Sequence, residues 1–395
     1  MKIRLLFAGL VGLVYATAVG GAATPQSIGL VIKNQHNIVY TGLRIKSAHG
    51  NCLSIVNSFN VTIEGANLGP CDGHAIYISG GSGNKVFDSY LHSEHAGSGC
   101  CDNHEGVRLT NHTSFATIQG NVIAYNETNV RVDDGAHDIS VIGNYLFNPL
   151  GPYPRGQNFQ SDTAARLSVI GNYAYSCTLL GPGKLCPPGA RYLYSEVQED
   201  SINFFKTNTF TASDNYVVGG HSGSGCGLIA DLAANNGTFH SNTVVDTGQC
   251  GIGIADGVNQ LVSGNRILNL TPIHGAGNTA LYVWKQYSPD CGPVRIINNV
   301  ADELKLDGSH SGFWKGAGCG PVDLSGNVFG RAAYDALHPM SLTNPPPLVP
   351  PLPKHCVAAS PYSTQTSAPP CKTSSSAKSA SIQSNVGVRS LEAVV

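Results

Sequence analysis

A short phrase returns along this chain: alternating apolar residues, a Gly-Asn corner, then another apolar pair. It reads Thr117-Ile-Gln-Gly120-Asn121-Val-Ile, then Ser140-Val-Ile-Gly143-Asn144-Tyr-Leu, then Ser168-Val-Ile-Gly171-Asn172-Tyr. Looser copies stand at Asp214-Asn215, Ser241-Asn242, Gly264-Asn265, Asn298-Asn299 and Gly326-Asn327, and Gly42, Gly65 and Asp88 hold the same slot upstream. Repeats of about 20 to 50 residues mean a solenoid, a propeller or an array. Val130 and Val132 with Arg131 and Asp133 between and after them have the period of two that marks a strand with one buried face. Gly and Asn at the breaks accept the left-handed backbone of tight turns.

A unit of about 23 residues with three short strands closes into one triangular coil, and coils then stack in parallel. Recurrent Asn at one corner can form a ladder of side-chain amides from coil to coil. A β-propeller is the alternative, but its blades need about 40 residues or more. The successive corner steps are 23, 23, 32, 23, 28, 43, 27, 23, 34 and 28 residues. That spacing predicts an all-β, right-handed parallel β-helix of about eleven coils, or one more if the step of 43 conceals a second coil. At about 4.8 Å per coil it is about 50 Å long. Val107, Val130 and Ile142 are expected in the core and Thr110 outside it. The repeats over about 30–335 resemble the pectin-lyase-like superfamily, which implies the same fold.

Excess residues must leave as loops, at 92–104, 148–156, 177–198 and 270–278, and such loops often wall a binding face. Residues 1–23 read as a secretory signal, with Lys2 and Arg4, an apolar run Leu5–Val14, and a small-residue end Gly21-Ala22-Ala23. The solenoid is then expected over 24–339, followed by a Pro- and Ser/Thr-rich disordered tail over 340–395. The expected location is secreted or periplasmic, with no membrane association once the signal is removed, and a monomer is expected. Charged residues are 12% of the chain and the net charge is −2, which argues against nucleic acid, whose binders carry basic faces. Twelve cysteines in an exported chain suggest disulfides. Cys226 and Cys250, and likewise Cys291 and Cys319, hold equal places in successive coils, so each pair should stack within bonding range. Cys52 with Cys71 and Cys177 with Cys186 are further pairs.

Aligning one strand from each coil places Tyr77, Arg108, Arg131 and Asn158 in one outward column, and Ser79, Thr110, Asp133 and Gln160 in the next. Stacked arginines repel unless carboxylates such as Glu105, Asp133 and Asp134, or an anionic ligand, hold them. A guanidinium also matches a carboxylate in bidentate fashion. Tyr77, Asn158, Gln160, Asp162 and Arg155 complete a polar row suited to a linear, anionic polysaccharide. The plainer alternative is a solvated face with an Arg–Asp ladder.

Three functions can use such a row. A lyase needs a cation to neutralise a uronate carboxylate and a base to remove the C5 proton. Arg108 and Arg131, or a Ca²⁺ ion on Glu105, Asp133 and Asp134, can neutralise; His104, Arg131 or Lys206 can serve as base. A glycoside hydrolase needs paired carboxylates, for which Asp133, Asp134 and Asp162 are candidates. The third is a non-catalytic glycan-binding or structural solenoid. Asn103-His-Glu105-Gly-Val-Arg108-Leu is similar to a run in chondroitinase B-type and alginate lyases, and Glu199-Asp-Ser-Ile-Asn-Phe-Phe-Lys206 resembles the segment carrying their catalytic Lys. That resemblance implies a polysaccharide lyase, although His104 replaces a Gly and no Arg-His-Gly follows Lys206.

Overall fold

The Asn-bearing corners turn the chain as the repeat requires. The computed structural model describes residues 29–46, 50–93, 105–151, 155–176, 198–220, 222–287 and 290–341. Each repeat forms three short strands, and every strand pairs in parallel with its counterparts in the coils before and after it. Three sheets of 11 strands result. The protein is a right-handed parallel β-helix of eleven coils, whose sheets open with Leu30–Lys33, His36–Thr41 and Arg44–Ile45. The step of 43 residues is a single coil with an insertion, because Ala165–Ile170 pairs directly with Asn208–Ser213. All four insertions leave between a strand of the third sheet and the next strand of the first, so they border one edge of the first sheet.

Eight asparagines, Asn121, Asn144, Asn172, Asn215, Asn242, Asn265, Asn299 and Asn327, stack at the corner between the second and third sheets. Each of the first seven donates its side-chain amide to the carbonyl oxygen of the next at 2.9 to 3.0 Å. The same carbonyl accepts the preceding asparagine's backbone N–H, as Asn172 Oδ1 does from Asn144. A second donor bond runs back to a strand carbonyl, Val141 in the case of Asn172. No polar atom of the amide is wasted, which is how buried polar groups become tolerable.

Inside, Val107, Leu109, Val130, Val132 and Val141 are fully buried, and Phe204 stacks on Phe210 at 4.0 Å. Two expectations are corrected. Ile142 faces outward, because the corner that follows it sets the phase so that Val141 points in. Thr110 is buried, with its backbone carbonyl accepting the Thr113 hydroxyl at 2.7 Å.

After the last strand, Val328–Phe329, residues that the repeat assigned to the solenoid form a helix, Arg331–Ser341, packed on the third sheet through Ala333 and Leu337. Among the described residues no helix is long and apolar enough to cross a membrane. The signal-like leader and the tail from 342 lie outside the described residues.

Disulfides join Cys226 to Cys250, Cys291 to Cys319 and Cys52 to Cys71, with Cα separations of 4.6, 4.5 and 5.7 Å. The expected Cys177–Cys186 pair falls outside the described residues. Each inter-coil bond closes a loop of 24 or 28 residues, a constraint that contributes about 3 kcal/mol. Peptide mapping without reductant should recover Cys226 with Cys250 and Cys291 with Cys319. Finding all four thiols free would remove both bonds.

Candidate functional site

Strand pairing in the first sheet decides which side chains meet. Arg108 pairs with Tyr77 on one side and Arg131 on the other, and Arg131 pairs with Gln160. The outward column therefore runs Tyr77, Arg108, Arg131, Gln160, and beside it Asp133 pairs with Asp162. Asn158 does not belong to it. That residue is fully buried at the interior corner, accepting a 2.9 Å bond from Asn129 and donating to Ser176 and Ser201. The insertion at 148–156 hides where the sixth coil's strand restarts, which is at Phe159.

A pocket of about 250 Å³ opens on this face, lined by His74, Glu105, Arg108, Arg131 and Arg155. Glu105 and His74 reach it because the strand bends at its start. Gly106 and Val107 both point inward, which turns Glu105 to the outside. A Cβ at position 106 would collide with Ile123 and the Asn129 carbonyl, so only glycine fits there.

The charges are layered. Asp133 lies beneath the arginines, 2.8 Å from Arg131 Nε and 3.0 Å from Arg108. Glu127 pairs with Arg155, and Glu105 Oε2 is 2.6 Å from His74 Nδ1. The carboxylate side chains of Glu105, Asp133 and Glu127 are 4%, 8% and 4% exposed, against 33%, 19% and 52% for Arg108, Arg131 and Arg155. A ligand entering the pocket therefore meets guanidinium groups. Arg108 Nε is buried without a hydrogen-bond partner among the described residues.

Burial by itself pushes the Glu105 carboxyl up, but its hydrogen bond with His74 and the positive charge of His74, Arg108 and Arg131 outweigh that and hold it below its ordinary value. The hydrogen bond and charge of Glu127 raise Arg155, so its cation is secure. His74 Nδ1 lies between the Glu105 carboxylate at 2.6 Å and the Glu105 backbone N–H, which donates to it at 3.3 Å. The Tyr77 ring stacks on the His74 ring with centroids 5.3 Å apart.

Other expected residues are placed elsewhere. Asp134 sits on an exposed left-handed turn. Lys206 is exposed at the end of the seventh coil's strand, with Nζ over the Phe205 ring. Asp162 is half-buried and accepts from the Thr163 hydroxyl. His104 lies outside the described residues. Calcium does not fit at Glu105, Asp133 and Asp134: the first two are engaged by His74 and the arginines, and the third is on the turn. His74 is the residue that sequence reasoning missed. Its signal was its place two residues before Ile76, matching Glu105 two before Val107.

A family described as periplasmic copper-binding protein (NosD) matches residues 15–171. Among the described residues no group of three or more His, Cys, Asp or Glu side chains is placed to hold a metal ion, copper included. The crystal structure of DFA-IIIase from Arthrobacter chlorophenolicus A6 in complex with GF2 superposes with a TM-score of 0.50 at 12% identity, covering 75% of this chain and 83% of that one. The A-module of a mannuronan C-5 epimerase from Azotobacter vinelandii gives 0.45 at 12% identity, covering 75% and 80%. No curated protein sequence matches. The likeness to the first of these structures establishes architecture alone: the chain is a right-handed parallel β-helix.

Proposed function

We propose that this protein is an exported polysaccharide lyase that binds an acidic glycan along the first sheet and cleaves it by β-elimination at the arginine pocket. The observation that carries the reading is the convergence of Arg108, Arg131 and Arg155 on one pocket with the Glu105–His74 pair. Three disulfides, and the match of residues 15–171 to a periplasmic family, fit export.

In this reading the guanidinium groups clamp a uronate carboxylate. Neutralising it acidifies the C5 proton and stabilises the enolate that forms when that proton leaves. In the tautomer that carries its proton on Nδ1, facing the Glu105 carboxylate, His74 takes the C5 proton on Nε2, and Glu105 orients the ring and stabilises the imidazolium. The C4–O bond then breaks, a C4–C5 double bond forms, and the leaving oxygen takes a proton from Tyr77.

The test is incubation of the full chain with pectin, alginate, glycosaminoglycans and neutral glucans. An uronate polymer should give absorbance near 235 nm from the unsaturated product, and His74→Ala should lower that rate by about 10² to 10⁴-fold. Binding without any product would leave a glycan-binding solenoid in place of a lyase.

A further inference from the structure

Beyond the pocket the first sheet carries a second group of carboxyls. Strand pairing continues the Asp133 row through Asp162, Phe205 and Asp231, and the neighbouring row through Gln160 and Asn203. Asp162 and Asp231 are two coils apart on one outward row, about 10 Å at about 4.8 Å per coil. The Phe205 side chain lies between them, with the exposed Lys206 ammonium 4.9 Å from its ring centroid.

The two carboxyls have unlike surroundings. Asp162 is half-buried, bonded to the Thr163 hydroxyl. Burial raises Asp231, and the nearby Asp256 carboxylate adds to that. Bonds from Asn203 and the Leu232 backbone oppose the rise, leaving the carboxyl at about 6. It therefore keeps a proton into mildly acidic solution, as a general acid must. Asp231 Oδ1 is buried and has no partner among the described residues.

A different kind of side chain points to a ligand at the same place. Asn203 is 2% exposed, and its Nδ2 donates to Asp200 Oδ2 at 2.7 Å, yet its Oδ1 has no partner among the described residues. Asp200 is itself pinned by the Cys226 backbone N–H at 2.7 Å, so it fixes the Asn203 amide and leaves an unfilled acceptor beside Asp231. A sugar hydroxyl is a donor of the right kind.

We propose that Asp231 and Asp162 form a second catalytic pair, which hydrolyses a glycosidic bond lying across Phe205 with inversion at the anomeric carbon. The backbone spacing of about 10 Å is just above the roughly 6.5 to 9.5 Å between carboxyl groups that inverting enzymes use to seat a water, and side chains leaning toward Phe205 bring the carboxyls into that range. The Asp231 carboxyl gives its proton to the glycosidic oxygen as the bond from that oxygen to the anomeric carbon breaks. Water attacks the opposite face of that carbon, forming the new C–O bond, and its proton passes to the Asp162 carboxylate. Solvent then returns a proton to Asp231. Asn203 is a positioning residue that orients the sugar through its carbonyl.

The experiment measures reducing ends and 235 nm absorbance together, with the full chain on the same set of polymers. For at least one polymer reducing ends should exceed unsaturated ends. Asp231→Asn and Asp162→Asn should each lower that excess at least 100-fold, and proton NMR should show the first product with the anomer opposite to the substrate's. No excess on any polymer, an excess that survives either substitution, or a retained anomer each overturn the proposal. Should Asp231→Asn fail to fold, Asp162→Asn on the half-buried side chain decides it. Excess reducing ends without 235 nm absorbance would remove the elimination chemistry and leave this pair standing.

Discussion

Arg131→Ala should lower β-elimination by about 10³-fold while moving the melting temperature by only a few degrees. Removing one group that stabilises developing charge costs about 10² to 10³ in turnover, and Arg131 is one of the three cations lining the pocket. The structural cost is limited because Asp133 keeps its contact with Arg108, and Gln160 stays on a half-buried face. Parallel rates at 235 nm and thermal melts for the wild type and the variant check it. If the variant unfolds, or turns over at the wild-type rate, Arg108, Arg131 and Asp133 are a structural ladder and the chemistry lies elsewhere.

Asn172→Ala should destabilise by about 4 kcal/mol or more, the largest stability effect expected of a single surface-distant substitution. The change removes the partner of the Asn144 N–H, of one Asn144 Nδ2 hydrogen and of the amide-facing Val141 carbonyl, while Asn215 Oδ1 keeps only the backbone N–H of residue 172. Each group left without a partner costs about 1 to 3 kcal/mol. Val130→Ala should cost about 2 to 4 kcal/mol by leaving a cavity. Urea unfolding monitored by circular dichroism gives both values. A loss under about 1 kcal/mol at Asn172 would mean that water replaces the amide and that the ladder contributes little.

The coil count and the asparagine ladder were legible because they rest on spacing. Steps of 23, 28, 43, 27, 23, 34 and 28 residues between corner asparagines are the sequence separations of the ladder bonds themselves. The disulfides Cys226–Cys250 and Cys291–Cys319 followed from the same arithmetic. Registration across an insertion was not legible. A slip of two residues preserves the alternation of inward and outward side chains, so nothing in the pattern distinguished Asn158 from Gln160 as the neighbour of Arg131. The slot Asn158 fills is held by Gly106, Asn129 and Ser201 in other coils, a set too mixed to announce itself. His74 escaped for a related reason. It sits where the strand bends, and there two consecutive residues face inward, so a strict period of two assigns the wrong side.

Each rung of the asparagine ladder is held by the rung before it and the rung after it, and its donor always faces the same way along the axis. The natural unit of change in this protein is accordingly the whole coil. Duplicating or deleting one would leave every amide with a donor and an acceptor and would lengthen or shorten the wall formed by the first sheet by one step. Adding a single residue within a strand would break two rungs together. Variation in this lineage should therefore appear either as entire turns gained and lost or as loops at the corner between the third and first sheets, where 177–197 already intervenes between Asn172 and Asn215 without disturbing the bond that joins them.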